Sequence, residues 1–207
     1  MTLVALATED ELSEAVGKRL LIDAGYTLTP SPFLRRNGFG YLRSKMDSWC
    51  EMAKGKPVVL LTDLDNAPCP VELRRNWLGT RKNPKNLIIR VAVREIESWL
   101  MADHDALRTL VGHRGSLPPN PDLLPDPKQF LLRMIAKQAS RRIREDLVAE
   151  EGAIASQGIG YNARLSELVA TVWSPERASL RSESLRRARL RLSELVYRMQ
   201  QHQGEKI

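Results

Sequence analysis

The sequence predicts an α/β layer fold, a parallel sheet flanked by helices, with an α-helical extension toward the C-terminus. Three observations carry this. "PVVLLTD" (57–63) and "LIIRVAV" (87–93) are largely unbroken apolar runs, as expected of strands covered on both faces. Segments of helical spacing alternate with the strands, giving β-α-(β)-α-β-α-β-α up to Leu110, an order that calls for right-handed crossovers. Residues 112–130 then hold five of the twelve prolines, and every periodic segment beyond them reads as helix. The expected division is an α/β domain over 1–112 and a helical extension over 113–207, docked on the first.

Taken in order, "TLVALA" is the first strand and "TEDELSEAVGKRLLIDAG" the first helix. Thr8 and Glu11 fit a capping box, Leu12, Ala15, Val16 and Leu20 give the periodicity, and Gly25 suits a C-cap. "YTLTP" reads as a short second strand and "TPSPFLRRNGFGY" as a loop, followed by a helix over 41–55. After the 57–63 strand, a helix is expected from Val71 to Leu78, and after the 87–93 strand another over "REIESWLMADHDAL". The extension reads as helices from Pro127 to Glu150, Ala163 to Val172 and Ser182 to Gln201. In the last, Leu185, Ala188, Leu192, Leu195 and Met199 recur at spacings of 3, 4, 3 and 4, a docking seam too short for a free coiled coil.

Composition narrows the class. Apolar residues make 43% and charged residues 28% of the 207, which suits a globular chain and not a disordered one. No apolar stretch nears the roughly 20 residues that span a bilayer, so no membrane partner is expected. "MTLVALATEDELSE" has no basic region ahead of its apolar run and does not read as a secretion signal. Cys50 and Cys69 lie in no CxxC or Cys/His pattern. A cytoplasmic location with reduced thiols follows. The net charge of +7 favours a polyanionic partner such as nucleic acid, although Arg-rich helix faces are also commonly just solvated.

The 57–63 strand ends in Asp63-Leu64-Asp65. In extended backbone residues i and i+2 point the same way, so both carboxylates can converge while Leu64 packs opposite. They stand at the carboxyl edge of the sheet, where open α/β folds bind ligands, and Glu9 ends the first strand in the same fashion. Clustered carboxylates raise one another's pKa unless a cation compensates, and Mg2+ or Mn2+ takes such oxygen ligands. The competing reading is a pair that caps a helix or closes a turn.

The stretches "TEDELSEAV", "GFGYLRSK", "LLTDLDNAPCP", "RVAVREIESWLMAD", "LPPNPDLLPDPK" and "GIGYN" resemble bacterial Toprim-like proteins. The strand-Glu-helix and strand-Asp-x-Asp pattern over about 3–105 resembles the Toprim module itself. That Rossmann-like, metal-binding domain occurs in topoisomerases, primases and OLD-type nucleases. The resemblance implies that Glu9 ligates metal or acts as general acid/base, and that Asp63 and Asp65 are paired metal ligands. It also favours Glu97 as a functional acid over Glu95 and Asp103, which share a helix face with Trp99. Two positions depart from the pattern. Asp10 stands where many Toprim domains have glycine, and the second acid of that motif falls at Ser13, with Glu14 one place on.

Among basic residues, Arg35, Arg36, Arg43 and Lys45 flank "NGFGY", a loop able to close over phosphates or simply to move. Arg90 interrupts an apolar strand and calls for an acid partner or a phosphate, and Arg94 ends that strand. Lys128 opens a helix, where a cation gains nothing from the dipole and so suggests an anion or carboxylate contact. Arg35, Arg36, Lys45, Arg94 and Lys128 are the candidate nucleic-acid contacts. His104, His113 and His202 are scattered and form no ligand set, and no tyrosine sits in a nucleophile motif. The sequence-based expectation is a Mg2+- or Mn2+-dependent nuclease on DNA or RNA, in phage or mobile-element defence. The alternative is a non-catalytic accessory or nucleic-acid-binding subunit of a separately encoded ATPase, because the chain carries no GxxxxGK[ST] loop of its own.

Overall fold

A computed structural model describes residues 3–28, 33–35, 40–150 and 152–204, with backbone alone at 33–35 and 202–204. The chain forms two compact units, 1–91 with 187–207 and 92–186.

The first unit holds β1 (Ala5–Thr8), α1 (Glu11–Asp23), β2 (Phe33–Arg35), α2 (Tyr41–Ser44), α3 (Met46–Gly55), β3 (Val58–Asp63) and α4 (Pro70–Leu78). β4 (Leu87–Ala92) closes it. The sheet order is β2-β1-β3-β4, and β1 runs parallel to both of its neighbours. Ala5, Ala7, Val58, Leu60, Leu87 and Ile89 face one way and bury Leu42, Met46, Trp49 and Ala53 from α2 and α3. Leu6 faces the other way, against α1. There a Cβ on Gly17 would lie 2.9 Å from both Leu6 methyl carbons, so glycine lets the helix approach the sheet. Helices on both faces are what the unbroken hydrophobicity of β3 requires.

Three local expectations are corrected. Tyr26–Leu28 form no strand, and β2 lies instead at Phe33–Arg35, inside the expected loop, paired Leu6↔Phe33 through Thr8↔Arg35. Tyr26 is withdrawn into the core, where its hydroxyl accepts the Val4 N–H at 3.1 Å. Thr8 does not cap α1, because it is still paired in β1. Asp10 is the N-cap, accepting the Ser13 N–H at 2.7 Å, while the Thr8 hydroxyl donates to the Asp10 carbonyl. The 41–55 helix is two helices meeting at Lys45, where the indole of Trp49 donates to the Leu42 carbonyl at 2.9 Å.

The second unit is helical: α5 (Ile96–Ala102), α6 (His104–Val111), a 3-10 turn (Pro121–Leu123), α7 (Pro127–Gln138), α8 (Arg141–Leu147), α9 (Tyr161–Thr171), α10 (Pro175–Ser179) and the start of α11 (Glu183–Gly204). Trp99 and Trp173 are fully buried, and the Trp173 indole donates to the Trp99 carbonyl at 3.0 Å. Each ring contributes roughly 4–6 kcal/mol of apolar transfer free energy. The expected helix over 94–107 breaks at Asp103, and the one from Pro127 to Glu150 breaks at Ala139–Ser140. The seam of α11 is real: Leu185, Ala188, Leu192 and Leu195 are buried, and Met199 is half-buried. No described helix is long and apolar enough to cross a membrane.

Candidate functional site

Register carries Glu9 to the carboxyl edge of the sheet. The pairing Ala7↔Leu60, continued by two residues, sets Glu9 beside Thr62, and the Thr62 hydroxyl donates to Glu9 Oε1 at 3.3 Å. Glu9 is half-buried, and its pKa is raised above the ordinary carboxylate value. Burial is the main cause, followed by the negative charge of Asp65, against which the Thr62 hydrogen bond works. Asp65 sits at the exposed lip of this edge, and partial desolvation raises its carboxyl as well. Two acids that follow separate strands thus share one rim, each holding a proton more tightly than an isolated carboxylate does.

The backbone brings Asp65 there by a route the alternation argument did not foresee. β3 ends at Asp63, and Asp65 takes a left-handed conformation at φ 47°, followed by a turn in which Ala67 N–H donates to the Leu64 carbonyl. Leu64 is buried as expected. Asp65 therefore stands past the end of the extended strand, and strand alternation does not set its position relative to Asp63. Asp63 is half-buried at the end of β3. Among the described residues, no three His, Cys, Asp or Glu side chains gather into a metal-holding group. What the fold assembles at this edge is a pair of acids, Glu9 and Asp65. Glu14, an alternative acid on α1, makes an ion pair with Lys18 at 2.5 Å.

Glu97 belongs to the second unit and to a different environment. It is nearly fully buried and accepts the Tyr161 hydroxyl at 2.7 Å. Burial pushes its pKa up to about 7, with the Tyr161 hydrogen bond and Lys128 working against the rise and Glu95 adding to it. Glu95 serves a helix N-terminus, but that of α7 and not of its own α5: its Oε2 accepts the Lys128 N–H at 2.8 Å. The Lys128 ammonium stands 5.1 Å above the centre of the Tyr161 ring. Glu95 thus holds the main-chain amide of Lys128, while the ammonium lies over an aromatic face.

Of the other basic candidates, Lys45 is exposed between α2 and α3, and Arg94 is half-buried after β4. Arg35 is described by backbone alone, as the last residue of β2, while Arg36 and the loop residues 37–39 lie outside the described residues. Among the described residues Arg90 makes no ion pair with an acid, one of the two remedies expected for it. Its Nε donates to its neighbour's carbonyl, Ile89, at 2.8 Å, and Arg74, Arg191 and Arg187 oppose its charge while Glu194 favours it. Sequence reasoning passed over Thr62 and Tyr161. Thr62 left one signal, a hydroxyl at a buried position of an otherwise apolar strand. Tyr161 left only its place in "GIGYN".

Comparison of the chain with models of known families, with curated proteins and with solved structures finds no match.

Proposed function

We propose that the chain is a divalent-metal-dependent nuclease that hydrolyses phosphodiester bonds of DNA or RNA, built on a Toprim-like sheet. The observation that carries this reading is the meeting of Glu9 and Asp65 at the carboxyl edge of β1 and β3. Both acids hold raised pKa values, and Asp65 contributes to that of Glu9. Glu9 and Asp65 would hold the ion, with Asp63 adjoining at the strand end. A bound Mg2+ or Mn2+ supplies Lewis-acid polarisation of a phosphate and a water of lowered pKa. Glu9, half-buried, bonded to Thr62 and with its pKa raised by burial and by the charge of Asp65, is the acid suited to carry a proton in the reaction.

The test is plasmid nicking by the purified full chain in Mg2+ or Mn2+. Nicking is expected to vanish in Glu9→Gln and Asp63→Ala and to fall at least about 100-fold in Asp65→Asn, since these residues would hold and shield the ion. Nicking that survives all three substitutions overturns the reading.

That no three acids, among the described residues, gather into a metal-holding group favours a second reading: a nucleic-acid-binding subunit without cleavage, partnered by a separate ATPase. It predicts salt-sensitive DNA retention with no metal-dependent nicking by the wild-type chain.

A further inference from the structure

We propose that the cavity between β4, α4 and the later turns of α11 is a binding pocket for a phosphate-bearing ligand of nucleotide size. The cavity, about 530 Å³, is lined by Arg74, Lys85, Arg90, Arg191 and Arg198, with Glu194 as its one acid. That volume lies in the usual range for small-molecule sites, roughly 300–1,000 Å³. All of these residues belong to the first unit, and none belongs to the Glu9–Asp65 rim, so the inference stands whether or not that rim holds a metal ion.

Charge is the reason to expect an anion. Arg90 sits within a strand and is partly buried, and its guanidinium has five N–H donors. Its guanidinium donates to the carbonyls of Ile89, at 2.8 Å, and Arg187, at 3.4 Å. Carbonyls satisfy donors without cancelling charge. Burial first, then Arg74, Arg191 and Arg187, pull its pKa down to about 10. The single acid is already engaged, since Glu194 Oε2 accepts from Arg191 at 2.7 Å. The Nε of Arg74 is buried with no hydrogen-bond partner. A fold gains nothing from gathering unbalanced guanidiniums at one concavity unless an oxyanion supplies the missing charge. Guanidinium forks match phosphate oxygens in geometry as well as in sign.

Tyr197 adds an aromatic face to the lining and is 62% exposed, which suits it to stack on a base while the arginines hold the phosphate. The phosphate can come from a free nucleotide or from a nucleic-acid strand, and the chemistry recognised is the same.

Calorimetric titration of the full chain at low salt separates the cases, with adenosine 5′-monophosphate, adenosine and a short single-stranded oligothymidylate as probes. Saturable binding of the monophosphate or the oligonucleotide, but not of adenosine, is expected. Arg90→Gln and Arg198→Gln should each weaken it about tenfold or more, and Lys54→Gln, on α3 outside the cavity, should leave it unchanged. Arg90→Gln removes a repelled charge and Arg198 is exposed, so both variants should fold. Preference for the monophosphate identifies a nucleotide pocket, and preference for the oligonucleotide a strand subsite. If neither saturates at millimolar concentration, or if Lys54→Gln weakens binding as much as Arg90→Gln, the proposal is overturned.

Discussion

The carboxylate of Asp103 is fully buried and accepts four hydrogen bonds, from the Ala106 and Ser174 amides and twice from the Arg177 guanidinium. Glu9, half-buried at the rim of the other unit, has the Thr62 hydroxyl and faces the charge of Asp65. Both acids follow a regular element and precede a helix. In one the negative charge is balanced inside the protein, and in the other it is left over. Burial of an acid is therefore a poor guide to function by itself. The informative quantity is how much of its charge the surrounding groups have already compensated.

The largest expected effect comes from unbalancing the satisfied acid. Asp103→Asn should lower stability by about 3 kcal/mol, since it strands Arg177 and weakens the cap of α6. Arg177 is 40% exposed, so water recovers part of the loss, which holds the effect at the low end for a broken buried pair. Urea unfolding followed by circular dichroism measures it, and a change below 1 kcal/mol would remove the contrast.

Next is Glu97, whose folded pKa of about 7 stands above its ordinary 4.5. The folded chain binds this proton more tightly than the unfolded chain. Stability from this group is thus complete below pH 4.5, falls as pH rises toward 7 and is flat beyond. The loss is on the order of 3 kcal/mol. Glu97→Gln keeps an acceptor for Tyr161 and should flatten that slope, leaving the variant more stable than wild type at pH 8. Parallel unfolding curves of the two proteins from pH 5 to pH 8 would contradict the assignment.

Glu9→Gln should act with the opposite sign to Asp103→Asn. It removes a poorly compensated charge, so the melting temperature at pH 8 should hold or rise, by no more than about 1 kcal/mol in stability given its exposure. On the proposed function, Mn2+ should raise the melting temperature of the wild type and not that of the variant. The smallest effect is Thr62→Val. Losing the hydroxyl that lowers the pKa of Glu9 should raise that pKa further, measurable as a shift in the carboxyl carbon titration by NMR.

Much of the layer fold was legible because β3 and β4 are too apolar to tolerate solvent on either face. Glu9 was legible as the residue that follows β1. The helix ends were not, since the break at Asp103 depends on partners far along the chain, such as Arg177, 74 residues away. The geometry of Asp65 was hidden for a different reason. Period-two alternation assumes extended backbone, and nothing in Asp-Leu-Asp announces where the strand stops. Arg90 was visible as an anomaly, but an acid partner seemed the ordinary remedy. The arginines around it come from α4 and α11, which no local pattern connects.

At position 65 the main chain, not side-chain reach, sets where the acid stands. A left-handed φ admits Gly, Asn and Asp with little strain and penalises longer or branched residues, so glutamate would gain a methylene and lose its footing. A library randomised at that codon and selected for activity should return aspartate, with glycine and asparagine surviving only where folding alone is demanded.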